Sequence, residues 1–337
     1  MSGDSMPAIT VQQSGARGDW NTLVFTRVER PTIGEKEVLL QVEACSVNRA
    51  DLLQRRGLYP PPAGASPLLG LDFAGFVTGV GAQVSSWHVG DRVFGITAGG
   101  GYGRYLAVPA DHLMAIPHNL SFIEAAAAAE VFFTAFVNLF VEARMQPQEV
   151  LLLHGGGSGV GTAAIQLARA FEVRTIVTAG HDDTLDACLK LGAGHAINYR
   201  QQDFAERVQA ITNGEGIDGV LDFIGAPYLS RHLDLLRPQG RLVLIGLMGG
   251  ASAQIQLGPV LSKRLRIIGS VLRSRSDQEK AALTKRFTER VRPLLASGEV
   301  RPIIDRIYPI HQAEEAHQYM LEGRRFGKIV LTWQGVG

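Results

Sequence analysis

The chain has few cysteines, little net charge and no secretion signal, and each shortage excludes a class of protein. Its 337 residues include two cysteines, Cys45 and Cys188, which can form neither a disulfide framework nor a four-thiolate zinc site. The formal net charge is +1 and the basic residues are scattered, so a nucleic-acid partner is not indicated. The first residues, Met1–Pro7, lack the basic and apolar segments of a secretory signal. We therefore expect a cytoplasmic protein.

Hydrophobic residues are plentiful by contrast, at 46% of the chain. We expect that no apolar stretch is long enough to span a bilayer, and so we expect no membrane association. A chain of this length and composition can bury the cores of two domains.

A glycine-rich loop between a predicted strand and a predicted helix is the most informative stretch. Val150–Leu153 is a continuous apolar run, typical of a strand buried on both faces of a parallel sheet. The loop 155–161 follows, with Ser158 in the place of the second glycine of the G-x-G-x-x-G pattern. The residues Val160 to Ala168 then show one apolar helical face. Strand, loop and helix in this order predict a dinucleotide-binding βαβ unit, the alternative being a tight turn without a ligand.

The predicted secondary-structure pattern changes near residue 121. Residues 7–120 contain short alternating strands with frequent glycine and proline, typical of an all-β unit. Ser121–Glu124 fits a helix-starting capping box, and strands then alternate with helices up to a strand at Arg266–Leu272. This alternation predicts an α/β domain with a doubly wound parallel sheet. A helix at Lys280–Leu295 and a strand at Lys328–Thr332 are expected to return to the first domain.

Motifs along the whole chain resemble the zinc-free quinone oxidoreductases, related to zeta-crystallin, of the medium-chain dehydrogenase/reductase superfamily. They include Asn48–Asp51, the loop 155–161, Asn198-Tyr199, Leu272–Arg275 and Gly327–Val330. The later motifs are similar to those of the inducible human-type NADPH:quinone oxidoreductases.

The resemblance implies a two-domain organisation. It implies a GroES-like β-barrel catalytic domain, residues 1–131 and 273–337, interrupted by a Rossmann dinucleotide-binding domain, residues 132–272. The active site would lie in the cleft between them.

The resemblance also implies site residues. Tyr59 and Asn48 are the catalytic candidates. Tyr59 would hydrogen-bond the oxygen of the acceptor, or else pack on Pro60–Pro62. Asn48 would contact the nicotinamide end of the cofactor, and Asp51 would be structural. The implied cofactor-binding residues are Asn48, Thr134, Gly156, Gly157, Ser158, Gly159, Val160, Gly161, Ala179, Gly180, His181, Tyr199, Gly225, Gly246, Leu247, Met248, Leu272, Arg273, Ser274 and Lys328.

The zinc-ligand positions of related enzymes can be compared one by one with the residues of this chain. Zinc alcohol dehydrogenases of the superfamily carry a cysteine where Asn48 stands and a His-Glu pair where Leu71-Asp72 stand. Leucine cannot bind a metal, and asparagine is a poor zinc ligand. Alcohol oxidation without a Lewis acid has no means of stabilising an alkoxide, whereas a quinone or activated alkene accepts hydride readily. We therefore expect a reductase without a metal.

The choice of cofactor depends on the end of the second strand. NAD-specific relatives carry an aspartate there for the ribose hydroxyls, but this place falls at Ala179. NADPH is therefore expected, with NADH as the alternative. The family's usual lysine is absent from the segment His181–Thr184, which contains Asp182 and Asp183. His181, Arg200 and Lys328 are candidate replacement cations.

These observations predict an NADPH-dependent quinone oxidoreductase whose partner is a small-molecule quinone or activated alkene. One alternative is a reductase of enones, enals or enoyl thioesters. Another is a catalytically weak nucleotide-binding protein of crystallin-like or RNA-binding type, since fold does not determine function. The predicted edge strand Arg266–Leu272 favours a homodimer, with a tetramer as the alternative.

Overall fold

The structure is a computed structural model that describes residues 5–13, 15–323 and 325–336. The chain divides into two compact units, Met1–Val131 with Leu272–Gly337, and Phe132–Val271. The strands are β1 (Ser5–Gln12), β2 (Thr22–Glu29), β3 (Glu37–Ser46), β4 (Asp72–Val80), β5 (Arg92–Ile96), β6 (Tyr105–Pro109), β7 (Leu113–Ala115), β8 (Val150–Leu153), β9 (Arg174–Ala179), β10 (His195–Asn198), β11 (Ile217–Asp222), β12 (Leu236–Leu244), β13 (Arg266–Gly269), β14 (Ile304–Pro309) and β15 (Lys328–Thr332). The α-helices are α1 (Arg49–Arg55), α2 (Phe122–Phe136), α3 (Gly159–Ala170), α4 (Asp182–Leu191), α5 (Phe204–Ile211), α6 (Leu229–Leu235), α7 (Leu257–Ser262), α8 (Asp277–Arg290), α9 (Arg292–Ser297) and α10 (Ala313–Glu322).

The first unit is organised around β3. Val38, Leu40 and Val42 are fully buried while the residues between them are partly exposed, which is the period-two pattern of a strand with one core face. β3 lies within a seven-stranded sheet of order β14-β15-β3-β4-β5-β7, and β6 also pairs with it. β15 joins β3 antiparallel, so the end of the chain returns to the first unit as the sequence predicted.

The second unit is a six-stranded parallel sheet of order β10-β9-β8-β11-β12-β13. Numbered within the unit, this is the order 3-2-1-4-5-6 of a Rossmann fold, so the predicted doubly wound sheet is confirmed. All four residues of β8 are buried, as expected of a strand covered by helices on both faces. From β8 the chain first adds strands on one side of the sheet, β9 and β10, and then on the other side, starting with β11. The glycine-rich loop follows β8 and therefore lies at this topological switch point.

Two predicted elements differ from those in the structure. The predicted helix Lys280–Leu295 is two helices, α8 and α9, separated at Val291. Pro293 accounts for the break, because it lacks an N–H and its ring clashes with the carbonyl four residues earlier. The predicted strand Arg266–Leu272 stops at Gly269, since its partner β12 ends at Leu244 opposite that glycine.

The helix that precedes the second sheet departs from a simple α-helix. Ser121 and Glu124 form the predicted capping box, and α2 continues as a π-helical turn over Val137–Glu142. By length and composition, Phe122–Glu142 could span a membrane, contrary to the expectation that no stretch was long enough. Its most apolar window is 78% buried inside the protein, which is typical of a core helix.

Candidate active site

The glycine-rich loop lies between β8 and α3 and can hold a pyrophosphate. A Cβ on Gly161 would lie 2.3 Å from the carbonyl oxygen of Gly155, so the loop and helix approach as closely as only glycine allows. Gly155 itself has a φ of +61°. The N–H groups of Gly159 and Val160, in the first turn of α3, have no intrahelical acceptors. Together with the helix dipole, such unpaired N–H groups favour an anion at this end of α3.

Ser158 is the N-cap of α3. Its Oγ accepts a hydrogen bond from the N–H of Gly161 at 3.0 Å. Its φ of −71° and ψ of 163° are ordinary extended values, so the backbone conformation at this position does not itself require glycine.

A polar cluster lies at the carboxyl end of β9. Ala179 is buried, and its carbonyl accepts the N–H of Tyr199 at 3.2 Å. His181 is the N-cap of α4, and its Nε2 lies 3.1 Å from Nη1 of Arg200. A Cβ on Gly180 would lie 2.9 Å from both the hydroxyl oxygen of Tyr199 and Nε of Arg200. The predicted residues of this segment are therefore brought together, with Arg200 beside them.

The remaining candidates of the second unit follow β11 and β12. Gly225 has a φ of +85° and bridges to Gly250. Asp222 accepts the N–H groups of Ile224 and Gly225 at 2.8 and 3.0 Å, which shapes this turn. Leu247 and Met248, after Gly246, are largely exposed. The predicted set thus lies along the carboxyl edge of the parallel sheet, where open α/β sheets bind ligands.

Thr134 lies in α2. Its side chain is buried, and its carbonyl accepts a hydrogen bond from Asn138 Nδ2 at 2.8 Å.

The first unit contains a buried polar network around Asn48. Asn48 is the N-cap of α1, and its Nδ2 donates to Asp72 Oδ2 at 2.7 Å. Its Oδ1 accepts from the ammonium of Lys328 at 2.7 Å, and the same ammonium donates to Val47 O at 3.0 Å. Lys328 Nζ lies 4.0 Å from Asp72 Oδ2. Lys328 was predicted to bind the cofactor, but its ammonium is engaged in this network.

Two carboxyl groups in this region are perturbed by burial. Burial raises the pKa of Asp72, against the lowering effects of Lys328 and of hydrogen bonds from Ser46 and Asn48. Burial also raises the pKa of Asp51 to about 7, although the N–H groups of Gly70 and Asn48 donate to it at 2.9 and 2.8 Å. Asp51 joins α1 to the turn at Gly70, consistent with the structural role inferred from sequence.

The residues at this place do not fit a zinc ion. Leu71 offers no ligand atom, and the Asn48 oxygen that could face a metal faces a buried ammonium instead. Elsewhere among the described residues, His154, Asp222 and His232 lie within metal-ligand range of one another. The Nε2 atoms of the two histidines are 2.8 Å apart and share a hydrogen bond, so no ion fits between them.

Tyr59 is half-buried in the loop after α1. A phenol is protonated at neutral pH in any case, and burial raises the pKa of Tyr59 further, so its hydroxyl can donate a hydrogen bond. Arg273 donates to Tyr59 O at 3.0 Å, to Ala98 O at 2.7 Å and to Gln54 Oε1 at 2.6 Å. The guanidinium predicted to bind the cofactor therefore holds three segments of the first unit together.

Leu272 and Ser274 flank Arg273, the first partly buried and the second exposed.

Tyr102 lies in the core. It is fully buried, and its hydroxyl is 3.0 Å from His317 Nε2.

Sequence reasoning singled out Asn48, Asp72 and Lys328 separately but missed the network that they form. The available signal was a lysine at the head of the otherwise apolar run Lys328–Leu331, whose charge needs a buried partner.

Known proteins are similar in sequence and structure over most of the chain. The family "Alcohol dehydrogenase GroES-like domain" matches residues 34–118, and "Zinc-binding dehydrogenase" matches residues 159–288. A quinone oxidoreductase from Sus scrofa is 33% identical over 312 residues, covering 89% of this chain and 90% of that protein. The Escherichia coli quinone oxidoreductase, solved with NADPH, is 29% identical with a TM-score of 0.84, covering 97% of this chain and 99% of the other. An NAD-dependent alcohol dehydrogenase structure has the same identity, TM-score and coverage.

Proposed function

Since this chain belongs to the medium-chain dehydrogenase/reductase superfamily, among relatives of the quinone oxidoreductases, we propose that it reduces quinones with NADPH and without zinc. The chain is an NAD(P)H oxidoreductase with a GroES-like domain and a Rossmann domain. The identity of the acceptor, the preference for NADPH and the independence from zinc are the proposed parts.

The buried Lys328–Asn48–Asp72 network is the observation that carries the proposal. A metal-dependent dehydrogenase polarises its substrate with a zinc ion held by thiolate and imidazole ligands. Here Leu71 and Asn48 stand at the positions of zinc ligands, and the side-chain oxygen of Asn48 accepts a hydrogen bond from the Lys328 ammonium. This arrangement favours an acceptor that takes hydride without a Lewis acid, as a quinone does.

The nucleotide would be held by the second unit. The loop 155–161 and the first turn of α3 would bind the pyrophosphate, and the cluster at the end of β9 would bind the adenosine ribose. Bound NADPH supplies the hydride. The contribution of the protein is then to position the reactants and to supply polar groups where charge develops.

Tyr59 is the proposed hydrogen-bond donor to the acceptor. Negative charge develops on a quinone oxygen as it accepts hydride, and a donor aimed at that oxygen stabilises the transition state. The phenol of Tyr59 is protonated at neutral pH, and the burial that raises its pKa does not change this donating form. Asn48 is less free for this task, because its Oδ1 and Nδ2 are both engaged with Lys328 and Asp72. We propose that Asn48 helps to position the groups of the site and does not itself take part in the reaction.

We further propose a homodimer formed through β13. This strand is at the edge of the six-stranded sheet, and exposed edges favour pairing. Apolar side chains near it are exposed, among them Leu261 at 82% and Ile267 at 41%. Light scattering of the purified protein should give twice the mass of one chain, and a monomer would contradict this part of the proposal.

An acceptor panel tests the proposed substrate class. NADPH oxidation is followed with quinones, enones, enals and enoyl thioesters at matched concentrations. The highest kcat/KM is expected for a quinone. A preference for an enone, enal or thioester would assign the alternative reductase activity. Tight NADPH binding without turnover of any acceptor would indicate the binding protein.

A further inference from the structure

A chain of four buried polar side chains lies at the carboxyl edge of the six-stranded sheet. Thr178 is in β9, His154 directly follows β8, His232 is in α6 and Asp222 ends β11. Each of the four residues is at most 1% exposed. We propose that this chain positions the turn after Asp222 for the nicotinamide half of the cofactor, with His232 as the positioning residue. The role rests on the proposed function, because it presupposes a bound nicotinamide cofactor.

Three contacts between side chains form the chain. His154 Nδ1 lies 2.9 Å from Thr178 Oγ1, and His154 Nε2 lies 2.8 Å from His232 Nε2. His232 Nδ1 lies 3.8 Å from Asp222 Oδ2 and has no hydrogen-bond partner within the part of the chain that the structure describes. This last separation is too long for a hydrogen bond, so the contact with Asp222 is electrostatic.

Both imidazoles are neutral at neutral pH. Burial and the charge of Arg231 lower the pKa of His232 to about 3. Burial, together with His232, lowers the pKa of His154 well below its usual range. A neutral imidazole carries one N–H, on either of its ring nitrogens. The two Nε2 atoms therefore share a single hydrogen, and one ring donates while the other accepts.

The carboxylate of Asp222 determines which ring donates. If His232 donated from Nε2, the bare lone pair of its Nδ1 would face this carboxylate, and the two negative groups would repel each other. If His154 donates, the hydrogen of His232 lies on Nδ1 and its partial positive charge attracts the carboxylate. His154 Nδ1 then accepts from the hydroxyl of Thr178. The donors therefore follow one direction, from Thr178 through the two histidines towards Asp222.

Asp222 connects the chain to the turn. Its two carboxylate oxygens accept the N–H groups of Ile224 and Gly225 at 2.8 and 3.0 Å. The same turn binds the segment after β12, since Phe223 O accepts the N–H of Met248 at 2.9 Å. Gly225 and Met248 are both predicted cofactor-binding residues. The buried chain thus ends on the hydrogen bonds that hold two predicted cofactor-binding segments.

This turn belongs to the half of the sheet that takes the nicotinamide nucleotide. A Rossmann fold binds one mononucleotide on each side of its switch point, and the end of β9 meets the adenosine ribose. β11 and β12 lie on the other side of that point. Removing the nitrogens of His232 should therefore weaken binding of the whole dinucleotide and leave binding of its adenosine half unchanged.

NMR spectroscopy of the histidine ring nitrogens tests the direction of the chain. Long-range ¹H–¹⁵N spectra of full-length protein with ¹⁵N-labelled histidine should show His154 with its hydrogen on Nε2 and His232 with its hydrogen on Nδ1. Both rings should stay neutral from about pH 8 to about pH 5, where an unperturbed histidine gains its charge. The signals are assigned from their loss in His154→Gln and His232→Asn.

Nucleotide titration tests the positioning role. In His232→Leu, which has neither nitrogen, the Kd for NADPH should rise about three- to tenfold, the range of one hydrogen bond. The Kd for adenosine 2′,5′-bisphosphate should not change, and kcat at saturating NADPH should stay within about twofold of wild type. His232→Asn should recover part of the NADPH affinity, because its amide can place an N–H near the position of His232 Nδ1. His195→Leu, at an exposed histidine of β10, is the matched control and should keep both wild-type Kd values.

The opposite tautomers, or a charged ring at His154 or His232 near neutral pH, would overturn the chain. An unchanged Kd for NADPH in His232→Leu, in an enzyme that reduces quinones, would overturn the positioning role alone. An equal loss of affinity for both nucleotides would also overturn it, since that result indicates a general disturbance of the second unit. If His232→Leu does not fold, the same comparison in His232→Asn decides, with wild-type affinity for adenosine 2′,5′-bisphosphate and weaker binding of NADPH expected. Failure of wild type to bind NADPH would overturn the proposed function and, with it, the positioning role.

Discussion

Replacing Lys328 with methionine should destabilise the first unit by about 3 to 5 kcal/mol, the usual cost of leaving one partner of a buried ionic pair alone. Methionine keeps most of the unbranched aliphatic stem, so the change removes chiefly the ammonium. The ammonium donates to Asn48 Oδ1 and Val47 O and lies 4.0 Å from the carboxylate of Asp72. Lys328 is 5% exposed and Asp72 is fully buried, so water cannot easily replace these contacts.

Thermal and urea unfolding measure this effect. At about 2–4 °C per kcal/mol, the expected loss lowers Tm by roughly 6 to 20 °C. Lys285→Met, at an exposed lysine of α8, is the control and should stay within about 0.5 kcal/mol of wild type. The double variant Lys328→Met with Asp72→Asn should recover part of the loss, because no buried charge is left unpaired. A loss below about 1 kcal/mol in Lys328→Met, or no recovery in the double variant, would refute the reasoning.

Three further predictions concern single side chains. Tyr59→Phe should lower kcat/KM for a quinone by about ten- to a hundredfold, roughly 1.4 to 2.7 kcal/mol, with NADPH affinity nearly unchanged. Steady-state kinetics with a separate fluorescence titration checks this, and wild-type rates would show that Tyr59 only packs. Ser158→Val should raise the Kd for NADPH by about tenfold or more, since it removes the acceptor for Gly161 N and adds bulk to the loop. An unchanged Kd in the folded variant would place the pyrophosphate elsewhere. Because the folded pKa of Asp51 is raised to about 7, its stabilising contribution is complete below its unfolded value of about 4 and is lost as pH rises to about 7. Wild type should therefore lose stability relative to Asp51→Asn across that window in urea unfolding, and a pH-independent difference would contradict the shift.

Local patterns in the sequence were enough to predict the parallel sheet and its nucleotide loop. The apolar run of β8, the glycines after it and the amphipathic α3 are adjacent in the chain, so their meaning does not depend on distant contacts. The tail was predicted as one long helix because its apolar periodicity continues past Pro293. The proline prevents a continuous helical hydrogen-bond pattern there, so the structure has two helices.

The polar networks could not be predicted in the same way. Asn48, Asp72 and Lys328 are separated by up to 280 positions and meet only because β15 pairs with β3. Arg200 was considered as a substitute cation, but its approach to Gly180 depends on the side chain of Asn198. Contacts of this kind are determined by tertiary packing, which sequence periodicity does not record.

Quinone-dependent oxidation of NADPH by enzyme of measured metal content tests the central claim most directly. We expect less than stoichiometric zinc by elemental analysis, with quinone turnover unchanged after treatment with a chelator. The same enzyme should not reduce NADP⁺ with simple alcohols. About one zinc ion per chain, lost together with activity in the chelator, or a faster reaction with alcohols than with quinones, would contradict the account.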